Sequence, residues 1–201
     1  MYNKLAESIT NFFIGRNIIN TNEQEIYIYS FEVLISDLIY MIIALLTALI
    51  SKSILETIIF LIGFFSIRRF AGGYHADSYT KCHLLFWLNQ VIMIVLVHLA
   101  SNEQTMRLLT LIFYLISIVS VFLFAPISNK NKPFTNSERK KFRLSSKVMI
   151  ILAAVVIVAL DLFNVDCKYI YVYIFGIFSV SISLIAEKIK IFKMRGDENN
   201  E

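Results

Sequence analysis

The chain has 201 residues, of which 57% are apolar and only 17% charged, with a formal net charge of +4 and a mean hydropathy of +0.67. That balance excludes an ordinary soluble domain and describes an integral membrane protein, because the charges gather between apolar runs as they do when the bilayer is the solvent. The basic pI near 9.0 then reads as a topology signal rather than a nucleic-acid footprint, and two cysteines without C-x-x-C spacing exclude a disulfide scaffold or a structural zinc site.

The opening MYNKLAESITNFFIG has neither the apolar core nor the cleavage site of a secretory signal, so it is expected to stay on the mature protein. Leu5, Ile9, Phe12 and Phe13 recur at helical spacing, which predicts an amphipathic helix over residues 1–20 lying on the inner membrane face. A soluble-type packing helix is the alternative. Thr21 followed by Gln24 resembles a capping box, so a long helix is expected to start there and run into the first span.

Apolar runs of near-bilayer length cover residues 33–51, 54–67, 84–100, 108–127, 148–163 and 169–186, predicting six transmembrane helices. The second is short and carries Glu56, so tilting, local thinning or an incomplete crossing are open for it. Placing both termini in the cytoplasm puts sixteen of the nineteen Lys and Arg residues inside and leaves Lys52, Arg107 and Lys168 outside. The positive-inside rule expects that bias. The predicted architecture is an all-α, multi-pass protein of the cell membrane, one integral domain over residues 1–201, in contact with membrane lipid.

Between the second and third runs lies RRFAGGYHADSYTKCHL, residues 68–84, where the reactive side chains concentrate. A cysteine is a good nucleophile as thiolate and needs a nearby base or a positive local potential. His75 is the obvious base for Cys82, but seven residues along one straight helix would separate the two by about 10 Å, too far for proton transfer. Gly72 and Gly73 permit sharp bends, and Asp77, Ser78 or Thr80 can each cap a helix carrying Cys82 in its first turn, where the helix dipole favours the thiolate. His75 would fold back from the preceding loop. His83 follows the nucleophile and points about 100° away on a helix, a poor base.

The run Arg68-Arg69-Phe70-Ala71-Gly72-Gly73-Tyr74-His75 with Cys82 seven residues on resembles the accessory gene regulator B (AgrB) family, membrane cysteine endopeptidases of Gram-positive quorum sensing. The likeness extends to the number and orientation of the spans, the chain length, the Ala125-Pro126 pair followed by basic residues, and Lys132-Pro133. It implies that His75 and Cys82 are catalytic, that the substrate is a propeptide of the AgrD type cut near its C-terminal side, and that the retained part is cyclised through an acyl-enzyme thioester to a thiolactone or a lactone. It also implies a homodimer. No cofactor or metal is expected.

Glu32, Ser36 and Asp37 fall near the cytoplasmic end of the first span, at the depth of the polar gap, where an acid can orient the His75 imidazole; packing against a neighbouring span is the competing role for Asp37. Arg68 and Arg69 are candidates to bind substrate carboxylates or polarise the scissile carbonyl, against anchoring a span end at the headgroups. Gly72 and Gly73 can offer backbone N–H groups as an oxyanion hole, or form only a turn. The basic loop 128–147, with Lys130, Lys132, Lys140 and Lys141, can dock an acidic propeptide tail, although topology marking and anionic lipid also account for its charge.

Cys167 is expected on the side opposite Cys82, unable to pair with it, and His98 near an external span end. Two other function classes fit the composition. A small transporter or channel would line a path with Asp37, Glu56, Asn89, Gln90 and Asp161 and not need Cys82. A non-catalytic scaffold would tolerate loss of both Cys82 and His75.

Overall fold

A computed structural model describes residues 2–74, 78–99, 102–128 and 134–198, without the side chains of residues 2, 79 and 194–198. The described chain is helical throughout, with helices α1 (Tyr2–Gly15), α2 (Gln24–Ile50), α3 (Ile54–Ala71), α4 (Tyr79–Leu99), α5 (Glu103–Phe124), α6 (Asn136–Leu162) and α7 (Cys167–Glu198), and one 3-10 turn at Thr21–Glu23.

Five helices are long and apolar enough to cross a bilayer: α2 with its preceding turn, α4, α5, α6 and α7. Their outward faces carry large apolar side chains in rows, such as Leu34, Leu38, Ile42, Leu45 and Leu49 on α2, a surface that only lipid or another protein can cover. The chain is a multi-pass membrane protein. The short second segment is α3, 18 residues or about 27 Å. Glu56 in its first turn and Arg68 and Arg69 in its last keep its composition from marking it as a span.

Geometry nonetheless carries α3 from one end of the bundle to the other. Lys168 at the start of α7 pairs with Glu56 at 3.2 Å, and Arg68 at the other end of α3 donates to Ser183 Oγ at 2.8 Å, so α3 and α7 run parallel. α2 and α4 run the opposite way, side by side: His83 meets Ser36 and Gln90 Nε2 donates to the Ala44 carbonyl at 2.8 Å. Six passages of alternating direction result, and both ends of the described chain lie at the end of the bundle that holds Cys82.

α7 is the central helix: 67% of its most apolar stretch is buried, against 17–22% for the other four spans. It crosses α3 where Gly63 faces the Tyr173 carbonyl and Gly176 faces Phe60 and Phe64 backbone atoms, so close that a Cβ on either glycine has no room. Small residues let two backbones approach in lipid, where packing replaces the hydrophobic effect as the driving force. Phe60, Ile67, Tyr171, Ile174, Ile177 and Val180 form the core around this seam.

α1 buries Ala6 and Thr10 and exposes Leu5 and Phe12, the amphipathic helix that its spacing predicts. It lies against α2 through stacked Phe13 and Phe31, 5.9 Å apart. The expected Thr21–Gln24 capping box does not form, because the Gln24 amide instead donates to Asn11 of α1 at 2.9 Å. At the other end of the sequence, α6 starts at Asn136, twelve residues before the predicted span. A capping box between Thr135 and Glu138 starts it, so much of the predicted basic loop is helix.

Candidate active site

The site is built where α3 stops. Gly72 and Gly73 take φ values of 71° and 135°, a region that residues with a Cβ rarely enter. Gly72 N–H closes the helix on the Arg68 carbonyl at 3.1 Å, and Ile127, just past α5, donates to the Ala71 carbonyl at 2.9 Å. A side chain at Gly72 would collide with the Ile127 carbonyl, and one at Gly73 with the Arg68 guanidinium.

Arg68 turns inward and holds the segment that follows. Its Nη1 donates to the Gly72 carbonyl and to Ser183 Oγ, both at 2.8 Å, and its Nη2 donates to the Tyr74 carbonyl at 2.9 Å. Tyr74 N–H donates in turn to Ser183, to Oγ at 2.8 Å and to the carbonyl at 3.0 Å. The guanidinium fork thus fixes both sides of a turn with one rigid group. Arg69 faces outward, beside the Phe70 ring. The turn-holding contacts of Arg68 were not among the roles that the sequence offered for it, and Arg69 lies exposed at the rim.

Of the two predicted oxyanion donors, Gly72 N–H is consumed by Arg68. Gly73 N–H has no acceptor among the described residues.

α4 begins one residue after Ser78, whose Oγ accepts from Lys81 N–H at 3.3 Å and whose carbonyl accepts from Cys82 N–H at 3.1 Å. Ser78 is thus the cap among the three candidates that the sequence offered, Thr80 being already inside the helix and Asp77 outside the described residues. Cys82 is a free, half-buried thiol in the first turn of α4, where the helix dipole favours an anion. The Arg68 guanidinium lies within electrostatic reach of Cys82 and of Glu187. His75 lies outside the described residues.

His83 faces α2, away from the nucleophile's side. Its Nε2 shares a hydrogen bond with Ser36 Oγ, its ring stacks on Tyr40 at 3.6 Å, and Asp37 Oδ1 is 4.0 Å away. Ser36 and Asp37 therefore serve a helix-packing cluster around His83. Glu32 stands about one turn earlier on α2, half-buried, and is not part of that cluster.

Glu187 is a buried carboxylate on the same helix as Ser183 and carries no sequence signal. It lies on α7 one turn beyond Ser183, is 7% exposed, and its Oε2 is buried with no hydrogen-bond partner among the described residues. In the sequence it reads as one more charge flanking the last span.

The remaining predicted positions are dispersed. Lys140 and Lys141 are exposed on the first turns of α6; Lys130 and Lys132 lie outside the described residues. Cys167 sits at the far end of the bundle, 3.9 Å from Met106 Sδ, and His98 bonds the Ile94 carbonyl of its own helix. The polar residues of the transporter reading do not share a path: Glu56 pairs with Lys168, Asp161 pairs with Arg107 at 2.7 Å, Asn89 bonds Leu85 and Gln90 joins α2 to α3. A polar recess of about 620 Å³, lined by Glu103, Arg107, Asp161 and Lys168 among others, opens at that far end, remote from Cys82. No group of three His, Cys, Asp or Glu among the described residues is arranged to hold a metal.

The family model for accessory gene regulator B matches residues 6–184. Three provisionally named AgrB-like proteins are similar to the chain. One from Clostridium perfringens strain 13 is 29% identical over 61% of this chain and 59% of its own length, so the chain spans about three-fifths of that relative. One from C. perfringens strain SM101 is 28% identical over 72% and 70% of the two chains, and one from Clostridium beijerinckii is 28% identical over 70% of each. No solved structure matches. With the motif residues gathered at the α3–α4 junction and the family model covering most of its length, the chain belongs to the accessory gene regulator B family.

Proposed function

We propose that the protein is a membrane cysteine endopeptidase that processes a quorum-sensing propeptide of the AgrD type, with Cys82 as nucleophile and His75 as general base and acid. The observation that carries this reading is the α3–α4 junction. Arg68 pins the turn that leads into His75, while a Ser78 cap puts Cys82 in the first turn of α4, within electrostatic reach of the same guanidinium.

Cys82 Sγ attacks the scissile carbonyl as its proton passes to His75, and the imidazolium then gives that proton to the leaving amine. The product is an acyl-enzyme thioester. A cysteine within the retained peptide can displace Cys82 by thioester exchange, which is near thermoneutral and needs no ATP if water is kept out; a hydroxyl would give a lactone by the same route. Gly73 N–H, which has no acceptor among the described residues, is the favoured oxyanion donor, and exposed Arg69, with Lys130, Lys132, Lys140 and Lys141, is suited to the acidic tail.

The orientation that fits the Lys and Arg distribution puts both termini, the α3–α4 junction and the start of α6 in the cytoplasm, with α1 at the inner interface. Membranes carrying the wild type, Cys82→Ala, His75→Ala and Cys167→Ala, incubated with the co-produced propeptide and read by mass spectrometry, test the assignment. Cutting is expected from the first and last alone.

A further inference from the structure

We infer that the first half of α6 carries a binding site for one anionic phospholipid, with Arg143 and Lys147 seating its phosphate and Phe122 of α5 as the wall beside them. Such a site is independent of the protease reading.

Arg143 and Lys147 stand one turn apart on α6 and share a face of it. An untilted crossing needs about 20 residues, and that many counted back from Leu162, where α6 ends, begin at Arg143. Lys147 then lies about 6 Å inside the hydrocarbon boundary. A charge at that depth is costly unless it reaches the headgroups or meets a counter-charge. Side chains on a helix lean toward its N-terminus, here the end at the headgroups, which brings the Lys147 ammonium up toward the level of Arg143. Neither cation is in an ion pair among the described residues, so the counter-charge has to come from outside the protein.

The surface around the two cations is apolar. Lys147 Nζ stands 4.8 Å from the centre of the Phe122 ring, a contact that joins α5 to α6 at this depth. Phe122 and Leu123 are exposed on α5, as are Leu144, Ile151 and Val155 on α6. Leu144 and Ile151 lie three residues before and four after Lys147, on its side of the helix, and Val155 continues that row into the bilayer. Two cations at the boundary with an apolar row leading away from them match a molecule with a phosphate at one end and acyl chains at the other.

Charge selects the headgroup. Phosphatidylcholine brings its own cation beside its phosphate, which two unpaired cations repel, whereas phosphatidylglycerol brings a net negative charge. The general attraction of a basic segment to an anionic surface depends on how many charges it has. A seat made of two cations and one ring depends on which charges they are.

The test uses the full chain purified in a nonionic detergent and titrated with phosphatidylglycerol or phosphatidylcholine of the same acyl chains, with bound lipid read by native mass spectrometry. Wild type is expected to hold one phosphatidylglycerol at least about tenfold more tightly than phosphatidylcholine, the scale of one hydrogen bond between charged groups. Arg143→Gln combined with Lys147→Gln removes that preference, and Phe122→Ala weakens phosphatidylglycerol about threefold. Lys188→Gln combined with Lys193→Gln takes the same charge from exposed positions on α7 and leaves the preference intact. If the α6 pair does not accumulate, Lys147→Gln alone is read against Lys188→Gln alone.

Equal losses from the two pairs make the attraction a general one and overturn the site, as does a preference that survives the α6 pair. Equal binding of the two lipids by wild type overturns it as well. A dimer mass in place of bound lipid, lost with Phe122→Ala, gives this face to a second copy of the chain and overturns it too.

Discussion

Arg68 and Ser183 stand 115 residues apart in the chain and share a 2.8 Å hydrogen bond, through which the last helix fixes the turn after α3. Arg68→Lys should therefore fail to restore what Arg68→Ala loses, since an ammonium cannot reach Gly72, Tyr74 and Ser183 with one planar group. Both variants are expected to cut propeptide at least about a hundredfold more slowly, on the scale of a few hydrogen bonds to a charged donor. Ser183→Ala leaves two acceptors in place and should cost about tenfold. Cleavage rates in membranes of equal protein content check the order; equal rates for Arg68→Lys and wild type would contradict it.

Gly72 and Gly73 have positive φ and no space for a Cβ. Alanine at either position should abolish cleavage, with a backbone cost of about 1–3 kcal/mol before the collision is counted. Detergent-solubilised thermal unfolding and cleavage, measured together, would show whether activity falls further than stability, as a local displacement of the turn requires.

His83 is the histidine next to Cys82 in sequence, but it packs against Ser36 and Tyr40. His83→Ala should lower stability by about 1–3 kcal/mol through the loss of its ring contacts and its hydrogen bond. It should not shift the pH dependence of Cys82 alkylation. His75→Ala should move that dependence to the alkaline titration of an unassisted thiol, and the opposite pattern would exchange the roles of the two histidines.

The six apolar runs each have a helical counterpart in chain order, five of them long and apolar enough to span a membrane by composition and α3 not. Boundaries were less legible. The start of α6 runs through Arg139, Lys140, Lys141 and Arg143, good helix formers without apolar character, so a hydropathy reading passes over them although Thr135 and Glu138 spell a capping box. α7 likewise continues past residue 186 into a charged run. In the site, the motif residues share one short segment and could be read together. Ser183 could not, because a serine in an apolar helix reads as packing until the fold brings it to Arg68.

Lys140 and Lys141 project from the first turns of α6 at the end of the bundle that holds Cys82. Changing both to Glu should raise KM for the propeptide several-fold and leave kcat nearly unchanged, the signature of a docking contact. Raising ionic strength should shrink the difference. A fall in kcat at constant KM would place the pair in the chemistry rather than in recognition.

The most direct test of the account is the fate of the acyl-enzyme. Wild-type protein mixed with propeptide, quenched in acid and examined by mass spectrometry, should show the N-terminal propeptide fragment joined to the peptide containing Cys82 by a hydroxylamine-sensitive bond, and His75→Ala should show none. The same adduct on Cys167, or cleavage proceeding in Cys82→Ala with no adduct anywhere, would contradict it.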